Sequence, residues 1–387
     1  MRSIYLDHNA TTPVRLDVFK AMEPFFITRF GNASSIHRFG QDTRSALEVA
    51  RRQVAELVNG KAGEIYFTSG GTESDNLAIK GIAYTRKNQG KHIITTNIEH
   101  SAVLNSCAFL EQQGYEVTYL PVNQYGRIDS WQVAEALTDQ TILITIMHAN
   151  NEIGTIQPVE EIGKIAEENN ICFHIDAVQS AGKIPIDVQE FHADLLSISS
   201  HKIYGPKGVG ALYIREGIII EPTTHGGHHE KDVRSGTENT AGIVGLGKAA
   251  ELAAHELQYE SKNLLGMRNA LEEGILNEID RASINGHPKW RLPSTLNVSF
   301  PGGEGESLIM SLDLEGIAVS TGSACSSGAI EPSHVLMALG IDPKTALGSI
   351  RFSFGRDNTL EDVDYVMQKL PGIVSRIRNY SPVSSIS

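Results

Sequence analysis

Between about residues 64 and 216, short β-branched runs alternate with helical patterns, and few folds accommodate a chain written that way. The alternation predicts βαβ units and a mostly parallel sheet with helices packed on it. Strands are expected at 64–68, 92–96, 116–120, 141–147, 172–175, 194–198 and 210–214. Helices are expected between most of them, at 74–88, 101–113, 131–137 and 159–169. In such sheets the working loops lie beyond the C-terminal strand ends, so polar residues there matter most.

A long pattern over 242–279 reads as helices leading out of this region. Beyond it lie strands at 294–300 and 349–354, and helices at 306–312, 360–370 and 372–378, the last two flanking Pro371. This sparser alternation predicts a smaller second α/β layer. The expected division is 1–14 as a segment packing with the small domain, 15–255 as the large domain and 256–387 as the small one.

A chain of 387 residues, 41% hydrophobic and 20% charged, has the make-up of a soluble globular protein with room for both layers. A formal net charge of -13 provides no basic stripe for nucleic-acid phosphates. The opening Met1-Arg2-Ser3-Ile4-Tyr5-Leu6-Asp7 has no apolar core of signal-peptide length, and no run approaches a membrane span. Cys107, Cys172 and Cys325 are scattered and odd in number, which argues against a disulfide framework and for a reducing cytoplasm. His225-Gly226-Gly227-His228-His229 has no spacing that suits zinc, so no metal is expected.

Lys202 follows the strand expected at 194–198, in the hydroxyl-rich turn Ser199-Ser200-His201-Lys202. It is either an ordinary strand-end lysine or, with its pKa lowered by desolvation, an amine that bonds an aldehyde cofactor. Asp176, at the end of the strand before, either caps the next turn or faces a protonated pyridine nitrogen. Adjacent parallel strands would bring both to one crevice, a pairing that a random sheet rarely meets.

Phe67-Thr68-Ser69-Gly70-Gly71-Thr72-Glu73 runs from a strand through a glycine pair into a helix. That suits a phosphate held by backbone amides and the Thr72 hydroxyl, or simply a capped helix start. His100 is a stacking and proton-transferring imidazole or a cap, and Asn150 and Asn151 are turn formers or ligands. Arg234-Ser235-Gly236-Thr237 is a phosphate-reaching loop or a plain one. Arg351, a charge inside an apolar strand, needs a carboxylate partner, and a substrate carboxylate is one candidate. Cys107 and Cys172 read as packing residues, whereas Cys325 sits among small residues in a loop expected to be exposed and mobile, as suits a travelling nucleophile.

Taken together, Tyr5-Leu6-Asp7-His8-Asn9-Ala10-Thr11-Thr12-Pro13, Thr68 to Asn76, Asn150 to Gly154, Ser200-His201-Lys202 and Gly322-Ser323-Ala324-Cys325 resemble the NifS/IscS-type (group I) cysteine desulfurases. These belong to the class V aminotransferase superfamily and have the fold type I architecture of pyridoxal-phosphate enzymes. The resemblance runs over nearly the whole chain, and Glu331-Pro332-Ser333-His334 looks like the continuation of the long cysteine loop of group I. It implies that Lys202 carries pyridoxal 5'-phosphate, Asp176 meets the ring nitrogen and Gln179 donates to the ring hydroxyl. His100 would stack on the ring and transfer protons; Gly71, Thr72, Ser199 and His201 would hold the phosphate, joined by Thr237 across a homodimer interface. Arg351 and Asn151 would hold the substrate carboxylate, and Cys325 would accept sulfur from L-cysteine, leaving alanine.

The persulfide would then pass to an acceptor such as a NifU/IscU-like iron–sulfur scaffold. The ending soon after residue 380 looks closer to NifS than to the longer-tailed IscS type, so nitrogenase-dedicated and housekeeping roles both fit. A selenocysteine lyase or another class V aminotransferase is the nearest rival, and a non-catalytic scaffold the more distant one.

Overall fold

The computed structural model describes residues 3–322 and 331–380. Its strands are β1 (Ile4–Tyr5), β2 (Ile65–Thr68), β3 (His92–Thr96), β4 (Glu116–Leu120), β5 (Thr141–Met147), β6 (Cys172–Asp176), β7 (Leu195–Ser199), β8 (Gly210–Ile214), β9 (Ser283–Asn285), β10 (Thr295–Ser299), β11 (Ile317–Ala318) and β12 (Ser349–Ser353). The helices are α1 (Leu16–Met22), α2 (Pro24–Ile27), α3 (Arg38–Leu57), α4 (Gly71–Thr85), α5 (Ser101–Glu111), α6 (Ser130–Ala136), α7 (Val159–Glu168), α8 (Thr240–Glu278), α9 (Gly305–Leu314), α10 (His334–Ala338), α11 (Pro343–Leu347) and α12 (Leu360–Tyr380).

Seven strands form one sheet in the order β2-β8-β7-β6-β5-β3-β4. From β7 to β4 every neighbouring pair is parallel, while β8 runs against both β7 and β2. The mixed α/β architecture with a large, mostly parallel sheet is the one expected from the alternation. The strand period of two sorts side chains between the sheet faces. Phe173, Ile175, Leu196 and Ile198 pack into a core shared with α3, α7 and α8. Cys172 and Leu195 pack on the other face against α4 and α5. His174, Asp176, Ser197 and Ser199 share that second face by alternation.

A second sheet, β12-β10-β9, is antiparallel, and β1 pairs in parallel with β11. The N-terminal stretch bridges to it through Asp7 and Ser353. One helix reaches both cores: Ile243, Leu246 and Ala249 of α8 belong to the first, and Leu264, Met267 and Leu271 to the second.

The structure corrects several expected bounds. The pattern over 242–279 is one continuous helix of 39 residues, not several. The segments on either side of Pro371 are also one helix. Interior proline costs about 3 kcal/mol, a loss opposed by the burial of Leu370, Ile373 and Val374 in the second core. Helix α4 begins at Gly71, three residues before the expected start at 74, which brings the glycine pair to its first turn. Helix α3 has no counterpart among the expected elements. Its buried Leu47, Ala50, Val54 and Leu57 recur at helical spacing in a strongly charged stretch.

Candidate active site at the strand ends

Strand β7 ends at Ser199 and continues into a tight 3-10 turn, Ser200–Lys202. The turn closes through the amide of Gly205, which donates to the Ser200 carbonyl at 3.0 Å, and through Tyr204, whose φ is 64°. That geometry swings Lys202 toward the N-terminal segment. Its Nζ donates to the carbonyls of Asn9 at 2.5 Å and Ala10 at 2.8 Å. Burial, helped by the nearby Arg351 charge, pushes the amine down to about 8 against the pull of Asp7 and Asp176.

Asp176 is the last residue of β6 and lies in register with Met147 of β5 and Ser197 of β7. Its Oδ1 accepts the Val178 amide at 2.9 Å, so it does cap the turn that follows. It is also buried on the cavity wall, and burial holds its pKa above the ordinary carboxylate value. Beneath it, on the same face, His174 links Thr145 Oγ1 at 2.8 Å to Ser197 Oγ at 2.9 Å. Burial takes the His174 pKa down to about 3, so the ring bridges the two hydroxyls as a neutral group.

His100 combines both readings of its position. Its Nδ1 accepts the Ala102 amide at 3.1 Å as the cap of α5, while the ring lines the same cavity. With Nδ1 accepting, the neutral ring carries its proton on Nε2. Burial, with the nearby Lys202 charge, lowers its pKa against the pull of Asp176.

The other end of the cavity is built from the start of α4. Gly70 has φ 153° and ψ -178°, backbone that glycine readily adopts. A Cβ on Gly71 would lie 2.6 Å from Val178 Cγ2, so the close approach of the helix start to the β6 turn requires glycine there. Thr72, Ser199 and His201 surround the helix N-terminus, and an adjoining open cavity adds Lys207. A helix N-terminus ringed by hydroxyls and a lysine favours an anion such as phosphate.

Arg351, from β12 of the second sheet, closes the remaining side. It donates to the Asn151 carbonyl at 3.0 Å and to Asp7 Oδ1 at 2.7 Å, while its buried Nε has no partner among the described residues. Its carboxylate partner inside the chain is therefore Asp7. Asn151 and Gln179 also line the cavity. Asn150 does not, because its side chain is spent on the turn, accepting the amides of Glu152 and Ile153.

Lys202, Asp176, His100, Gln179, Asn151, Gly71, Thr72, Ser199, His201 and Arg351 thus surround one cavity of about 370 Å³. Thr237 is exposed and is not among its lining residues; neighbouring Arg234 is engaged with Glu73 at 2.7 Å. Cys325 lies outside the described residues, whereas Cys107 and Cys172 are buried free thiols. The structure adds residues that the sequence patterns did not single out. Asn9 and Asp75 line the cavity, and Lys183 stands behind Gln179. Asp75 Oδ1 is buried with no hydrogen-bond partner among the described residues, and burial raises its pKa well above the carboxylate norm. The periodicity of α4 could have exposed Asp75, since it falls on the buried face with Leu77, Ala78 and Ile82.

This donor set fits pyridoxal phosphate. An amine with a depressed pKa can bond the aldehyde, a buried carboxylate can meet the ring nitrogen, and the glycine-lined helix start can receive a phosphate.

The pattern of the family described as "Aminotransferase class-V" matches residues 4–366. A protein of Methanosarcina thermophila named "Cysteine desulfurase IscS" is 54% identical over 99% of this chain and 95% of its own length. Among solved structures, a "NIFS-LIKE PROTEIN" superposes with a TM-score of 0.91 at 40% identity, covering 97% of this chain and 100% of the other. A structure described as "SspA in complex with cysteine" gives a TM-score of 0.82 at 40% identity, covering 91% of this chain and 99% of that one.

Proposed function

Because this chain belongs to the class-V aminotransferase family, we propose from that premise that it is a pyridoxal-phosphate-dependent cysteine desulfurase with its active site in the cavity of Lys202, Asp176 and Arg351. The observation that carries this reading is the depressed Lys202 amine on the same wall system as a buried Asp176 and a helix-start anion cradle. The cysteine complex of the similar SspA supports L-cysteine as substrate.

The bound cofactor supplies an electron sink for the substrate carbon that bears the amine. Lys202 would hold it, and its amine of depressed pKa would serve as the base that moves the α-proton. Asp176 would pair with a protonated ring nitrogen and so keep the ring electron-withdrawing. Arg351 and Asn151 bind the substrate carboxylate, with the Arg351 guanidinium shared between it and Asp7. His100, with its proton on Nε2, would stack on the bound ring and act in proton transfer.

Cys325 attacks the substrate sulfur as a thiolate. A sulfur–sulfur bond forms, the carbon–sulfur bond breaks, and its electron pair stays with the three-carbon fragment, which takes up protons and leaves as alanine. The Cys325 persulfide then passes to an iron–sulfur scaffold.

A homodimer is part of this reading. Phe19, Phe26, Ile27, Phe30 and Phe39 crowd the surface of residues 19–39, with Ile27 73% exposed. A second copy covering them buries apolar area, and Thr237 supplied across that contact joins the phosphate cradle. The division into 1–14, 15–255 and 256–387 and a cytoplasmic location complete the proposal. Buried free thiols support a reducing compartment, and no described helix is long and apolar enough to cross a membrane.

Two measurements test the core of it. Borohydride reduction of the holoenzyme followed by peptide mapping should label Lys202. Intact-mass analysis after L-cysteine should add one sulfur to Cys325, and none to a Cys325→Ser variant. A label on any other lysine, or sulfur gained without Cys325, sinks the assignment.

A further inference from the structure

Lys183 is buried just behind the cavity, in the turn that follows β6, and forms no ion pair among the described residues. Its Nζ donates instead to two neutral oxygens, Gln179 Oε1 at 2.9 Å and Asn9 Oδ1 at 3.1 Å. A buried ammonium without a carboxylate is costly. A methionine of similar length would fill the same space without that cost.

What the ammonium does is fix an ambiguity of shape. The two ends of a glutamine amide are nearly alike in size, so only their partners decide which faces where. An ammonium has donors only, and it meets the oxygen. The Asn9 main-chain carbonyl has acceptors only, and it meets Nε2 at 2.9 Å. Flipping the Gln179 amide would set donor against donor and acceptor against acceptor. The same contacts use one of the two Nε2 hydrogens and leave the other for the cavity that Gln179 lines.

We propose that Lys183 is a positioning residue for the cofactor: it locks the Gln179 amide with its nitrogen toward the cavity, so that it donates to an oxygen on the bound ring. This rests on the reading of Gln179 as donor to the ring hydroxyl. Burial, with the nearby positive charges of Lys202 and Arg351, pushes Lys183 down to about 7; charged or neutral, its N–H groups donate to the two oxygens.

The test uses apoenzyme titrated with pyridoxal phosphate, the visible spectrum of the holoenzyme, and thermal unfolding to establish that each variant is folded. Lys183→Met should lower cofactor affinity by about fivefold or more, the size of one hydrogen bond, and shift the absorption maximum. Gln179→Leu should do the same, and the double variant should be no worse than Gln179→Leu alone. Lys183→Gln, which keeps a donor facing Gln179, should stay near wild type in both readouts.

A shift with Gln179→Leu but none with Lys183→Met overturns the role of Lys183 while leaving Gln179 in place. No shift with either overturns the Gln179 reading beneath it. Fully additive losses in the double variant also overturn the proposal, since Lys183 would then act elsewhere. Should Lys183→Met fail to fold, a loss in Lys183→Gln as large as that of Gln179→Leu overturns it equally.

Discussion

Lys202 Nζ donates to the main-chain carbonyl of Asn9 at 2.5 Å, joining positions 193 residues apart in sequence. The amine is therefore steadied by backbone, and the Asn9 side chain is free for other work. It donates to Thr295 Oγ1 at 2.9 Å and the Asn151 carbonyl at 3.1 Å, and accepts from Lys183. Asn9→Ala should leave Lys202 reactive but cost about 2–4 kcal/mol, since three hydrogen bonds go and a buried ammonium loses a partner. Urea unfolding of the variant measures the loss, and borohydride labelling checks that Lys202 still reacts.

Replacing Arg351 should separate binding from chemistry. Arg351→Ala should lower kcat/KM for L-cysteine by about 10- to 100-fold, the range for a charge-assisted contact, mostly through KM. Cofactor absorbance should survive. Alanine production measured across L-cysteine concentrations decides it, and an unchanged KM would remove Arg351 from the substrate site.

At Gly71 the issue is space. Gly71→Ala places a methyl 2.6 Å from Val178 Cγ2 and should weaken cofactor binding by about 1–3 kcal/mol through overpacking. Val178→Ala in the same chain should recover much of it. Equilibrium dialysis of pyridoxal phosphate against the single and double variants reads the effect.

The buried histidines predict acid sensitivity. Burial lowers His8 and His148 to about 4 and His174 to about 3, against an ordinary 6.5. Between pH 6.5 and 4 the unfolded chain binds more protons than the folded one, so stability should fall as pH drops through that window. Glu99 works the other way: burial raises it to about 8, so its contribution is lost as pH rises from 4.5 toward 8. Urea midpoints from pH 4 to 9 should show the acid loss. Glu99→Gln should improve on wild type more at pH 9 than at pH 5.

Much of the site was legible because parallel strands concentrate polar residues at one edge. The expected strands 92–96, 116–120, 141–147 and 210–214 coincide with those observed, and Asp176 and Lys202 stand at strand ends as anticipated. What escaped notice has physical causes. Asn9 lies far from the sheet in sequence and acts through contacts that only folding creates. Lys183 sits in a turn without periodicity, where a lysine reads as solvent-exposed. The joined halves of α12 show tertiary burial overriding a local breaker. Arg351 needed a carboxylate, but nothing in its neighbourhood along the chain pointed to Asp7, which is 344 residues away.

Helix α8 carries a further implication. At about 1.5 Å per residue its 39 residues extend roughly 58 Å, with one end embedded beside the Lys202 sheet and the other beside the Arg351 sheet. It works as a spindle that indexes two walls to each other by angle as well as by distance. A single residue inserted near exposed Tyr259 would rotate everything beyond it by about 100°, whereas seven would return it nearly to phase. The angular phase of one rod is thus as much a determinant of how Arg351 faces Lys202 as the residues of either wall.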